Sequence, residues 1–146
     1  MDHLYFEQII PEEFCDYVIG STPWEDGYHG VVQGFFGDKH KDSIRKASVL
    51  GAHLMSPIGC VCQSYLASSI GITGWTEKIN SFDDVQLIRY TEGGHYKWHN
   101  DVNKTSDGKV RKLTLVMLLN DPSEFEGGQL QIKGVESDNK IGRAHV

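Results

Sequence analysis

Apolar positions recur at helical spacing twice in the first half of the chain. Pro11 suits a first helical turn, Glu12 and Glu13 follow at the positive end of a helix dipole, and Phe14, Tyr17 and Val18 form an apolar stripe. A helix therefore opens at residues 9–11, with Gly20 as its cap. Ser56 and Pro57 read as an N-cap and first helical residue, and Ile58, Val61, Tyr65 and Leu66 carry a second stripe to about Ser69. Tyr65 is assigned to packing. Residues 27–37 are rich in glycine and aromatic or β-branched positions (Tyr28, Val31, Val32, Phe35, Phe36), which predicts short strands and a turn. Residues 40–45 form a polar connection, 47–50 a strand, and 70–82 a loop anchored by Trp75.

The second half changes period. Residues 85–90, 113–119 and 130–132 are apolar and partly β-branched, and Gly, Asn, Asp and Pro separate them. Helices first and strands afterwards predict an α+β domain, its N-terminal helices packed on a sheet or barrel. The chain contains no internal repeat and no low-complexity tract.

Composition narrows the class. A length of 146 residues fits one domain, and 39% hydrophobic with 23% charged residues fits a globular chain. The net charge of -6 leaves no basic surplus for bulk nucleic-acid binding. No apolar run approaches the ~20 residues of a membrane span. Met1 leads into Asp2, His3 and Leu4 without a secretory pattern, so a cytoplasmic location is expected. Cys15, Cys60 and Cys62 are expected to be free thiols, because Cys60 and Cys62 lack the second pair that zinc sites usually have.

Chemistry concentrates in Tyr90-Thr91-Glu92-Gly93-Gly94-His95-Tyr96-Lys97-Trp98-His99-Asn100-Asp101. On extended backbone, residues i and i+2 point to the same side, so His99 and Asp101 can grip one metal ion together. An imidazole and a carboxylate suit Fe(II), and a third ligand would complete a facial triad with three open positions. His-x-Asp alone is a weak signal, since such a pair is usually solvated surface. Its setting, after a strand and a Gly-Gly turn and before another apolar strand, strengthens it.

The pattern Tyr90-x-x-Gly93-x-x-Tyr96-x-x-His99-x-Asp101 resembles the signature of prolyl-4-hydroxylase-type oxygenases, in the iron(II)- and 2-oxoglutarate-dependent superfamily. The run 113–119, then Asn120-Asp121-Pro122 and Phe125-Glu126-Gly127-Gly128-Gln129-Leu130, is similar to the family's next strands and glycine step. Val85-Gln86-Leu87 and the Pro11-Glu12-Glu13-Phe14-Cys15 opening match in character. The resemblance implies an incomplete double-stranded β-helix of jelly-roll or cupin-like form, with helices packed on it. It implies His99 and Asp101 as iron ligands and Tyr90 as the tyrosine that hydrogen-bonds the distal carboxylate of 2-oxoglutarate. Tyr96 and Trp98 would flank the iron strand, as mouth or as packing, and Gly127 and Gly128 would permit a tight turn or bulge. The implied reaction uses O2 and 2-oxoglutarate to hydroxylate a C–H bond of a peptide or small molecule, peptidyl proline being one candidate. Succinate and CO2 are co-products, and ascorbate would keep the iron reduced.

Two family features lie outside the sequence pattern: a distal iron-binding His beyond a further aliphatic strand, and a Lys or Arg after it. His145 arrives too early for the first. Ile141-Gly142-Arg143-Ala144-His145-Val146 also reads as the translation of a sequencing-library adapter. The expected division is therefore a partial oxygenase domain over 1–140 and a non-native tail over 141–146, inactive as written. The alternatives are a short intact oxygenase using His145, a non-catalytic β-barrel binding module, and a cupin-like metalloprotein drawing on His95. His3, His29, His40 and His53 lack ligand spacing and are assigned to surface or hydrogen-bonded core.

Overall fold

A computed structural model describes residues 3–6, 9–29, 43–75, 78–102, 108–133 and 144–145. The expected strands around Val31, Val32, Phe35 and Phe36, together with His40 and most of the 141–146 tail, lie outside these residues. The fold is α+β, with two helices and small antiparallel sheets. It divides into two compact units: residues 1–22, 62–76 and 113–146 in the first, and 23–61 and 77–112 in the second.

In the first unit, β1 (Tyr5–Phe6) pairs antiparallel with β7 (Ala144–His145). Helix α1 (Glu12–Ser21) begins after Pro11, whose carbonyl accepts from the Phe14 and Cys15 amides. It runs through Gly20 instead of stopping there. Thr22 is the cap, its hydroxyl donating 2.5 Å to the Val18 carbonyl, so a side chain does the work expected of glycine. The buried face is Cys15 and Val18 together with Ile10 just upstream, whereas Tyr17 is exposed. Of the expected stripe, Val18 is buried, Phe14 is half-buried and Tyr17 faces solvent, and the small thiol of Cys15 completes the core side.

Helix α2 (Pro57–Thr73) starts as its sequence predicts: the Ser56 hydroxyl accepts 3.2 Å from the Gly59 amide. It continues four residues past the expected end at Ser69. There Ser69 and Thr73 hydroxyls donate 2.7 Å to the Tyr65 and Ser69 carbonyls, folding their polarity back onto the helix. Tyr65 is a packing residue, its hydroxyl donating to the Ile9 carbonyl and its ring 5.8 Å from that of Phe6.

In the second unit, β4 (Ser48–Ala52) lies between β2 (Tyr28–His29) and β5 (Val85–Arg89), while β3 (Arg45–Lys46) pairs with β6 (His95–Tyr96). Residues 113–119 alternate between half-buried and exposed up to Met117, as a strand would, but carry only an isolated bridge at Val116. No ladder forms over 130–132. The described residues therefore show small antiparallel sheets where a partial barrel was expected. No helix among the described residues is long and apolar enough to cross a membrane.

Candidate metal centre

One feature of strand register builds the site. Residues 45–52 pair first with β6 and then with β5, both antiparallel. Ser48 faces Arg89 and Lys46 faces His95, so two positions on one side correspond to six on the other. The five intervening residues, Tyr90 to Gly94, face Ala47 alone and are extruded as a turn closed by the Gly94 amide donating 2.7 Å to the Thr91 carbonyl. Gly93, at φ 71°, takes the left-handed conformation this turn requires at its third residue. Gly94 is needed for space, because a Cβ there would sit 2.7 Å from the Thr91 oxygen and 3.2 Å from the Lys46 oxygen.

Beyond β6, the Lys97 amide still bonds the Ile44 carbonyl, and the chain then bends at Trp98. The bend brings His99 beside Asp101, with imidazole Nε2 3.1 Å from carboxylate Oδ1. The other ring nitrogen, Nδ1, lies 2.7 Å from the Lys97 carbonyl oxygen. A carbonyl only accepts, so Nδ1 carries the hydrogen and Nε2 faces Asp101. The Asn100 side-chain oxygen accepts from the Val102 amide at 2.8 Å and steadies the backbone around Asp101.

This pair fits a divalent metal ion. Two ligands at right angles, with bonds of roughly 2.0–2.2 Å, stand about 3 Å apart, which is the spacing seen. Metal-bound histidines commonly donate their second N–H to a backbone carbonyl, as His99 does to Lys97. Both side chains are partly open to solvent. Among the described residues no third His, Cys, Asp or Glu joins them. His95 turns its Nδ1 to the Gly93 carbonyl at 3.2 Å, and its Nε2 is buried without a hydrogen-bond partner among the described residues.

Around the pair is a group the motif alone does not disclose. The Tyr96 ring stacks on the His99 imidazole, with centroids 3.5 Å apart and planes 11° apart. The guanidinium of Arg45, only 5% exposed, packs over the same tyrosine ring at 4.7 Å. Tyr90, at the start of the extruded turn, reaches Arg45 as well. Partial burial raises its phenol above the ordinary value, while Arg45 opposes the rise by charge and by hydrogen bond and Tyr96 adds to it. The net rise keeps Tyr90 a neutral O–H donor. Trp98 is 66% exposed and packs little.

The sequence places Arg45 at the end of a polar connection, but it begins β3. Its signal was phase: Arg45, Ala47 and Val49 are all buried at alternate positions, placing a cation on the core side of a strand. Elsewhere, Gly127 and Gly128 both have positive φ, in keeping with a tight turn. His3 and His53 lie at the surface, and among the described residues Cys15, Cys60 and Cys62 form no disulfide.

The stacked imidazole and its carboxylate partner, just beyond the short strand that follows a Gly-Gly turn, are a donor set of the kind mononuclear iron oxygenases use. A model of the 2OG-Fe(II) oxygenase superfamily matches residues 85–145, the segment that holds the whole constellation except Arg45. Over residues 85–145 the chain is similar to that superfamily. A curated relative is a PKHD-type hydroxylase from Prochlorococcus marinus, 27% identical over 123 residues that cover 81% of this chain and 51% of the relative. The chain thus spans about half the length of that protein. No solved structure matches.

Proposed function

We propose that this chain carries the iron-binding strand of an Fe(II)- and 2-oxoglutarate-dependent dioxygenase that hydroxylates a C–H bond. The observation that carries the reading is the 3.1 Å approach of His99 Nε2 to Asp101 Oδ1, with Nδ1 tied to the Lys97 carbonyl. His99 and Asp101 would hold the iron, and Tyr90 would donate its hydroxyl to the distal carboxylate of 2-oxoglutarate. When bound, Fe(II) with 2-oxoglutarate and O2 supplies C–H hydroxylation, with succinate and CO2 as co-products. The chain's own part is placement. Asp101 supplies negative charge to the cation, the Lys97 carbonyl holds the tautomer of His99, and Tyr90 stays protonated to donate.

The superfamily's double-stranded β-helix is the fold this reading carries with it, and residues 113–132 would supply its next strands. The substrate class is a peptide or small molecule, peptidyl proline being favoured by the likeness of the motif, and ascorbate is the reductant that would keep the iron ferrous. A relative bearing the name hydroxylase supports the reaction type. Since no third ligand joins the pair among the described residues, binding by this chain is expected to be weak and turnover to stay at background. Anaerobic calorimetry tests this: Fe(II) should bind the wild type, bind more tightly with 2-oxoglutarate present, and fail to bind His99→Ala or Asp101→Ala. Unchanged binding in those variants contradicts the assignment. Succinate above background would show a third ligand supplied from outside the described side chains, His145 being the candidate.

The lack of a third donor among the described residues also favours a second reading, a non-catalytic β-barrel binding module. Such a module would show no Fe(II) binding at either residue.

A further inference from the structure

We propose that Tyr96 is a positioning residue for His99, held in place by Arg45. The inference rests on the iron reading of the site and adds what keeps the imidazole aimed. A histidine side chain has two rotatable bonds, and the Nδ1 contact with Lys97 fixes one atom of the ring while leaving it free to pivot. The face of Tyr96, stacked at 3.5 Å and nearly parallel to the imidazole, removes that pivot. With the ring plane set, Nε2 stays directed to the position beside Asp101 Oδ1.

Tyr96 in turn needs support, because the chain bends two residues later. The buried Arg45 guanidinium supplies it, and the Arg45–Tyr96 backbone register places the two residues directly opposite one another on β3 and β6. A flat guanidinium suits this task better than a lysine ammonium, which has no plane to lay against a ring. Tyr90 touches the same arginine, so the two tyrosines share one anchor. The chain order of the motif then has a physical reason: Tyr96 sits three residues before His99, and the bend at Trp98 brings the two rings into register.

The test uses the 146-residue chain, NMR of the His99 imidazole, and titration with Co(II) alone. In the metal-free wild type, the His99 ring protons should be displaced upfield by the ring current of Tyr96. Tyr96→Phe should keep that displacement and the Co(II) affinity, since it keeps the face and loses only the hydroxyl. Tyr96→Leu should lose the displacement and weaken Co(II) binding by about 10-fold or more, the range for residues that orient a ligand. Arg45→Met should reduce both, with the ring still present.

A Tyr96→Leu chain that keeps the wild-type melting temperature and Co(II) affinity overturns the proposal. So does a wild-type spectrum with no upfield displacement, which decides the matter even where a variant does not fold. A wild type that shows the displacement but binds no Co(II) contradicts the iron reading. Positioning toward a metal then falls with it, and only the stack remains.

Discussion

Cys62 and Gly94 show how single side chains set conditions on this fold. Burial pushes the Cys62 thiol up from its ordinary 9.0 to about 11. The native state therefore holds this proton more tightly than the unfolded chain. Its contribution is full below pH 9 and is lost as pH rises from 9 to about 11, where the unfolded thiol ionises first. Urea unfolding across that window should show falling stability in the wild type, and Cys62→Ala should flatten this part of the profile. At Gly94 the constraint is space. Gly94→Ala should destabilise the second unit by about 2–3 kcal/mol, measured by urea unfolding, because the turn backbone has no room for a methyl group. A neutral effect would show that the extruded turn is not held as described. The residues of the site were legible to different depths. His99 and Asp101 could be paired from their spacing, since alternation on extended backbone is a local rule. The stack of Tyr96 on His99 could not, because it depends on a bend at Trp98 that no residue preference dictates.

At the scale of elements, what could be read followed from how local the cause was. The start of α1 at Pro11 and of α2 at Ser56 and Pro57 are set by groups within four residues, and both occur where the sequence puts them. The ends were harder. Gly20 is a plausible stop, but the Thr22 hydroxyl and its bond to Val18 carry the helix past it. Strand β5 was recognisable from its apolar, β-branched run, and β4 from residues 47–50. The run 113–119 keeps an alternating exposure over its first residues without a ladder, since extended backbone is a local preference whereas its pairing partner is distant in sequence. Arg45 fell between these cases. A charged residue in the buried phase of a strand is visible once the strand is known to begin at 45 and not at 47.

For the molecule as a whole, exposed apolar side chains are the dominant physical fact after the site. In the first unit Val116, Phe125 and Ile132 remain 37%, 38% and 43% exposed, in the segment expected to supply further strands. An environment-sensitive dye such as anilinonaphthalene sulfonate should fluoresce with the native chain, and Val116→Lys with Phe125→Lys should reduce the signal. The net charge of -6 opposes association, so any self-association should grow with added salt as repulsion is screened. A native chain silent to the dye would mean these side chains are covered.

Paramagnetic broadening gives the most direct reading of where a metal ion sits. Mn(II) added in substoichiometric amounts to isotope-labelled chain should broaden the signals of His99 and Asp101 first, then those of Tyr96 and Lys97, and an excess of Zn(II) should restore them. Broadening centred on other acidic residues, or equal in Asp101→Asn, would contradict a metal centre at this pair.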